Sequence, residues 1–327
     1  MPIATAVTKL LGIEHPVLLA PMDVVADARL VAAVCNAGGF GILGGGYGDA
    51  EWLSRELDAL GSLRRPFGVG FITWSLAKQP RLLDMTLERK PTAVMLSFGD
   101  VTPFVDSIKR AGAHLICQVQ SLAIAREAVD AGADMLVAQG TEAGGHGAAR
   151  GLVALLPEIV DAFGRDLPVV AAGGLADGRG LAAALMLGAS GVLLGTRFYA
   201  CTEAPSADAA KARVCAATGD DTARSVVFDI LRRNVWPAPF TGRCLRNAQL
   251  DRWLGHELQL LQQLDAESER FAAARRERNF DVAAVIAGES AGLVPKVEPA
   301  GAIIGRMIED ASRLLAGGAA NFALSPA

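Results

Sequence analysis

The sequence predicts an α/β protein: a (β/α)8 TIM barrel with a helical cap domain inserted towards its C-terminal end. Three observations carry this reading. Short apolar runs rich in Val, Ile and Leu recur through the first two-thirds of the chain, each followed by a turn signal and a stretch of helical spacing. The runs are continuously apolar rather than alternating, as expected of strands covered on both faces and therefore parallel. Gly-rich loops follow the second, sixth, seventh and eighth runs, whereas a doubly wound sheet would bind its ligand after the first strand or at a switch point.

In chain order, strands are predicted at residues 17–22 (VLLAPM), 40–44 (FGILG), 67–72 (FGVGFI), 93–98 (AVMLSF), 114–119 (HLICQV), 135–139 (MLVAQ), 168–172 (PVVAA) and 191–195 (GVLLG). Helices are predicted between them at 27–37, 52–60, 101–111, 121–131, 153–163 and 179–187. Each βα unit then spans about 20–30 residues, the size that closes into a barrel. The uncharged stretch between Arg179 and Arg197 falls short of a membrane-spanning helix and reads as a helix end plus a buried strand. From about Pro205 the pattern changes. Segment 206–286 has no strand period, and its polar amphipathic stretch 250–279 lacks the sustained heptads of a coiled coil. It is expected to be a helical cap over the C-terminal face. Residues 1–205 plus 287–327 would form the barrel, with a closing amphipathic helix at 301–315 as the eighth crossover.

Composition narrows the class of function. Of 327 residues 36 are glycine, above the usual share of about 7%, yet they form neither a strict period nor a low-complexity block. The formal net charge of −4 gives no electrostatic reason to expect nucleic acid or an anionic membrane surface as partner. Five scattered cysteines (Cys35, Cys117, Cys201, Cys215, Cys244) show neither CxxC nor metal-ligand spacing, so no disulfide framework or metal site is expected. The N-terminal stretch lacks a basic region followed by an unbroken apolar core, which argues against a signal peptide. A cytoplasmic location is expected.

Two groups of loops could carry chemistry. The stretches AAGGLADGRG (171–180) and GVLLGTRF (191–198) follow or end strands seven and eight. In a barrel that is where backbone N–H groups and helix N-termini cradle a phosphate, with glycine permitting close approach. Gly173, Gly174, Gly195 and Thr196 are the predicted donors; Arg179 and Arg197 either add charge or are solvated structural arginines. The second is VAQGTEAGGHGAARG (137–151), which sets His146 after a flexible Gly144–Gly145 pair, with Gln139 at the strand end below. His15, His114 and His256 fall before the first strand, at the start of strand five and in the cap. Only His146 has catalytic placement, and an imidazole titrates near neutrality, which suits proton abstraction or donation.

These residues carry a family resemblance. APM (20–22), NAGGFGILGGG (36–46), PFGVGF (66–71), AQGTEAGGHGAARG, AAGGLADGRG and LLGTRF, then WPAPFTGRCLRN (236–247) and AGESAGLVPKVEPA (287–300), resemble the nitronate monooxygenase family, formerly the 2-nitropropane dioxygenases. The motifs run in order from first strand to last helix. The resemblance implies an FMN-dependent barrel in which Ala20, Pro21 and Met22 pass beside the isoalloxazine ring and Gln118 and Gln139 hydrogen-bond it. It further implies that Gly144 approaches the flavin closely, that Gly173, Gly174, Gly195 and Thr196, with Leu194 in the same run, hold the cofactor's phosphate end, and that His146 is the active-site histidine. One position departs: Gly70 stands where many members have Asn, so it can offer backbone at most, and the pocket beside it should be roomier. Asp23 stands where a small residue is frequent; it is read as the N-cap of the next helix, with a pocket carboxylate as the other possibility.

The implied reaction is oxidation of alkyl nitronates, and of nitroalkanes after loss of an α-proton to His146, by O2 to carbonyl compounds and nitrite. Its partners would be small molecules, without nucleic acid or membrane, and the protein a monomer or homodimer. The chain is also similar to the FMN-dependent enoyl-acyl carrier protein reductases, which use NAD(P)H and share EAGGH, GILGGG and the 287–296 run; a quinone reductase is a variant of that reading. The pairs Trp236–Pro237, Gly242–Arg243 and Arg246–Asn247 favour the monooxygenases. A non-catalytic flavin-binding barrel would not require His146, and a flavin-free phosphosugar barrel would not call for EAGGH.

Overall fold

The computed structural model describes residues 3–317. Eight parallel strands form one sheet: β1 (Val17–Leu19), β2 (Gly41–Gly44), β3 (Phe67–Ile72), β4 (Ala93–Ser97), β5 (His114–Val119), β6 (Met135–Gln139), then, after a short β7 (Gly145–Gly147), β8 (Val169–Ala172) and β9 (Gly191–Leu194). Their order is β1-β9-β8-β6-β5-β4-β3-β2. The ring closes at a parallel bridge between Leu18 and Phe40, where Leu19 N donates to Phe40 O (2.9 Å) and Phe40 N to Val17 O (3.0 Å). The fold is the (β/α)8 barrel that the apolar runs predict.

Burial explains those runs. Successive strand residues point to opposite faces, and both faces are covered. Leu18, Ile42, Met95, Ile116, Val137, Val170 and Leu193 fill the barrel interior, while Leu19, Leu43, Val69, Val94, Leu115, Leu136 and Val169 pack beneath the helices. The helices between strands, among them Ala28–Asn36, Ala50–Ala59, Thr102–Arg110, Leu122–Asp130, Leu152–Phe163 and Gly178–Met186, match the six predicted. Four short ones among the described residues have no predicted range: Ala6–Leu11, Thr73–Leu76, Arg81–Leu87 and Thr196–Tyr199. The first joins the interior cluster through Val7 and Leu11, plugging the barrel. The final helix, Ala300–Gly317, packs on Gly178–Met186 and Ala28–Asn36 and so takes the place of the eighth crossover. A Cβ at Gly178 would lie 2.4 Å from Asp310 Cβ, so this glycine sets how closely two helices approach. Residues 1–2 and 318–327, assigned to the barrel from sequence, lie outside the described residues.

Segment 206–286 is not purely helical. Between its helices lie β10 (Thr222–Ser225) and β11 (Thr241–Leu245); β11 pairs antiparallel with β10 on one side and with β7 on the other. These strands carry Arg224, Gly242 and Arg243 and bury only a short apolar end at Cys244 and Leu245, so no strand period announces them. Stretch 250–279 breaks into Ala248–Trp253, Glu257–Gln262 and Leu264–Glu277, with Gly255 in the left-handed region (φ +82°) at the first break. This segment has a core of its own, around Phe228, Leu250, Trp253, Leu260 and Phe271. Among the described residues, no helix is long and apolar enough to cross a membrane.

Candidate active site

The loop after β6 is held by side chains from the inserted segment. Arg224, on β10, donates to the carbonyl oxygens of Thr141 (2.8 Å), Ala143 (3.1 Å), Gly147 (3.2 Å), Gly145 (3.4 Å) and Thr241. Burial, with Arg243 beside it, pulls the Arg224 guanidinium down to about 10, still cationic at neutral pH. Arg243 adds a bond to Thr141 O (3.0 Å) and an ion pair with Glu289 (2.9 Å). The Glu of EAGGH, Glu142, caps helix Leu152–Phe163 by accepting from Leu152 N (2.9 and 3.1 Å). The Gly144–Gly145 pair, expected to be flexible, is pinned: a Cβ at Gly144 would lie 2.6 Å from the backbone of Ala287 and Gly288, and Gly145 sits in β7. The near neighbour that demands glycine at 144 is therefore the chain itself.

His146 stands opposite Gly242 in the β7–β11 ladder. Its side chain is one-tenth exposed, and Nε2 lies 3.0 and 2.9 Å from the two carboxylate oxygens of Asp229, in helix Val227–Leu231. The Trp236 ring stacks on the imidazole, with centroids 3.4 Å apart and planes 7° from parallel. The same indole reaches across the mouth: Nε1 donates to Tyr47 Oη (3.2 Å), and its ring packs edge-on against Trp74 and Phe98. Loops after β2, β3, β4 and β6 are thus tied to one side chain from the inserted segment. Beneath them, Gln139 Nε2 donates to His146 O (2.9 Å) and Gln120 Nε2 to Gln139 Oε1 (2.9 Å). Gln120 Oε1 is buried without a hydrogen-bond partner among the described residues. Gln118 and Gln139 continue the inward-facing alternation of Ile116 and Val137 and so cap the barrel interior.

The opposite side of the mouth is built of backbone. Gly173 (φ +101°) and Gly174 (φ +72°) turn after β8, and a Cβ at Gly173 would lie 3.0 Å from Ala143 N and Gly140 O. At Gly195 a Cβ would meet nothing nearer than Met22 Sδ at 3.7 Å and Ala20 Cβ at 3.8 Å, so the space before it is open and walled by the chain after β1. Leu194 packs its side chain into the layer beneath the helices and turns only backbone to this space, its carbonyl accepting from Ala20 N (2.9 Å). The Thr196 hydroxyl accepts from Gly288 N (2.9 Å).

Several expectations need correction. Arg197 is not solvated but buried against Glu298 (2.6 Å) and Lys296 O (3.3 Å), whereas exposed Arg179, paired with Asp177 (2.5 Å), fits the solvated structural alternative. No roomier pocket lies beside Gly70, because Pro21 fills it: a Cβ at 70 would be 2.4 Å from Pro21 Cβ. The cap of helix Ala28–Asn36 is Asp27, which accepts from Leu30 N (2.8 Å), and not Asp23. Asp23 is exposed at its surface yet has protein around it; loss of hydration raises its carboxyl above the usual range, opposed by Arg232 and Arg275. Asp229, Arg224 and Gln120 were missed from sequence.

The protein is a (β/α)8 barrel whose mouth presents backbone along one arc and a histidine–carboxylate pair with aromatic rings along the other. The nitronate monooxygenase family profile matches residues 4–310, and the chain belongs to that family. It is 36% identical to nitronate monooxygenase npaC of Metarhizium robertsii, over 91% of each chain. It is 38% identical to the (3aS,4S,5R,7aS)-5-hydroxy-7a-methyl-1-oxo-octahydro-1H-indene-4-carboxyl-CoA dehydrogenase of Mycobacterium tuberculosis, over 68% of this chain and 63% of that one. Among solved structures it is similar to FabK from Thermotoga maritima, at a TM-score of 0.87 and 30% identity over 98% of this chain and all of that one.

Proposed function

We propose that the chain is an FMN-dependent nitronate monooxygenase, oxidising alkyl nitronates, and nitroalkanes after proton removal, with O2 to carbonyl compounds and nitrite. The observation that carries this is His146, held by Asp229 at a barrel mouth that elsewhere presents bare backbone. The residues present fit a flavin. Gln120 supplies a buried amide oxygen without a partner, Gly195 fronts open space, and the left-handed glycines 173 and 174 expose main chain where a phosphate would sit. Gly173, Gly174, Gly195 and Thr196 would hold that phosphate. Ala20, Pro21 and Met22 would flank the ring, Gln118 and Gln139 would hydrogen-bond it, and Gly70, Gly144 and Leu194 would contribute backbone alone. The chemistry FMN supplies when bound is acceptance of electrons from the substrate and their delivery to O2.

The chain's own residues do the rest. His146 orients the nitro group and takes the α-proton of a neutral nitroalkane. Trp236, spanning four loops, shields the reacting atoms from water, and segment 206–286 acts as the cap that brings it there. Five scattered cysteines, none disulfide-bonded, support a reducing, cytoplasmic setting. A second reading is favoured by the relative named as a carboxyl-CoA dehydrogenase: NAD(P)H-dependent chemistry on a thioester-bearing substrate, as in an enoyl reductase. Anaerobic mixing of the purified yellow protein with ethylnitronate in one experiment and NADH or NADPH in another separates the two. Fast bleaching by the nitronate and not by the nicotinamides is expected, and the reverse pattern overturns the proposal.

A further inference from the structure

We propose that Asp229 is the positioning residue that holds neutral His146 as its Nε2–H tautomer, making Nδ1 the basic nitrogen that takes the substrate's proton. This rests on the reaction proposed above. An ionised carboxylate offers only acceptors, and both oxygens of Asp229 lie within 3.0 Å of the one ring nitrogen. Nε2 must then carry the proton, and the remaining lone pair is on Nδ1.

The ring has little freedom to choose otherwise. Its backbone is fixed in the β7–β11 ladder and by Gln139 on its carbonyl, and Trp236 covers one face. Gly242 stands across the ladder beside the imidazole edge, where even an added Cβ would make only ordinary contact with Nε2, at 3.5 Å. The pair borders a cavity of about 20 Å³, room for about one water. Arg232, Arg243 and Cys244 also line that cavity, and Tyr47 reaches the far side of Trp236. Arg224, on the carbonyls of Gly145 and Gly147 to either side of His146, is a further charged group beside the pair.

When the substrate is a neutral nitroalkane, its α-C–H bond breaks and the proton passes to Nδ1. The electron pair stays on the substrate, delocalised into the nitro group as the nitronate. The positive charge gained by the imidazole is offset by Asp229 at 2.9 Å. A preformed nitronate has already lost this proton, so Asp229 should matter more for the neutral form than for the nitronate.

The test uses flavin-loaded protein. In ¹⁵N-histidine-labelled wild type, with the His146 signals assigned by their loss in His146→Ala, the Nε2–H tautomer is expected; the Nδ1–H tautomer would overturn the proposal without any reference to turnover. In Asp229→Asn, kcat/KM for nitroethane should fall by roughly 100-fold, while that for ethylnitronate, which needs the ring only to orient its nitro group, should fall by about tenfold or less. Asp229→Glu should recover most of the loss. Equal falls on both substrates, or no fall on nitroethane, would overturn it. Should Asp229→Asn fail to fold, the wild-type tautomer and Asp229→Glu decide. A wild type that oxidises neither substrate form sinks the proposed reaction, and the tautomer still judges Asp229 alone.

Discussion

Around the rim of the barrel, the arc formed by β8, β9 and the chain after β1 presents glycine and main chain, whereas the arc from β2 to β6 presents aromatic rings, amides, a histidine and a carboxylate. The first arc is shaped by local backbone: left-handed turns at Gly173 and Gly174 and an open face at Gly195. The second is assembled from afar. Arg224, Asp229 and Trp236 all arrive from the inserted segment to hold the loop after β6. The difference teaches that one barrel mouth can combine an arc of bare main chain with a clamp that fixes the position of a histidine ring. The two arcs should accordingly fail in different ways.

The largest effect is expected from Arg224→Met, which leaves five carbonyl oxygens without their shared donor. Stability should fall by about 3 kcal/mol or more, seen as a drop of roughly 5–10 °C in thermal midpoint, with turnover reduced more than tenfold. An unchanged midpoint would mean that the side-chain arc does not depend on the clamp. Glycine substitutions probe the other arc. Gly173→Ala forces a Cβ into a left-handed conformation and to 3.0 Å from two backbone atoms, which should cost about 1–3 kcal/mol. Gly195→Ala has clearance within the chain and should alter stability by no more than about 0.5 kcal/mol while lowering the flavin retained after gel filtration. Full retention in Gly195→Ala would remove that residue from the cofactor surface.

The smallest effect is read from the thiols beneath the two arcs. Burial pushes Cys35 and Cys201 up to about 11 and Cys117 and Cys244 up to about 12, against an ordinary value of 9.0. Because these raised groups keep their protons in the folded chain while the unfolded chain loses them, their contribution is full below pH 9 and declines as pH rises towards 11–12. The urea midpoint should therefore slide downward from pH 9 to 11. At pH 8, Cys215, the only one of the five not buried, should label first, and Cys244, in the three-stranded sheet, before Cys117 in the barrel. Labelling of Cys117 ahead of Cys244 would make the barrel wall, rather than the clamp, the softer region.

Much of this was legible in the chain itself. Strands buried on both faces cannot avoid writing continuous apolar runs, so the eight barrel strands stand out, and a turn that needs positive φ leaves its glycine, as at 173 and 174. His146 was legible because a motif surrounds it. Other features leave no local mark. β10 and β11 are short and interrupted by arginine and glycine, so no period reveals them. Asp23 reads as a cap until the helix is found to start at Ala28, where Asp27, four residues further on, accepts from Leu30 N. Gly70 reads as missing bulk until Pro21 is found in the space.

The sequence by itself determined the barrel, its glycine-lined arc and the histidine, because each depends on burial or backbone conformation over a few neighbouring residues. Only the tertiary structure decided what holds the histidine. Asp229 is 83 residues from His146, and Arg224 is 83 from Thr141. Contacts at that separation have no spacing to read, since they exist only once the inserted segment has folded onto the barrel.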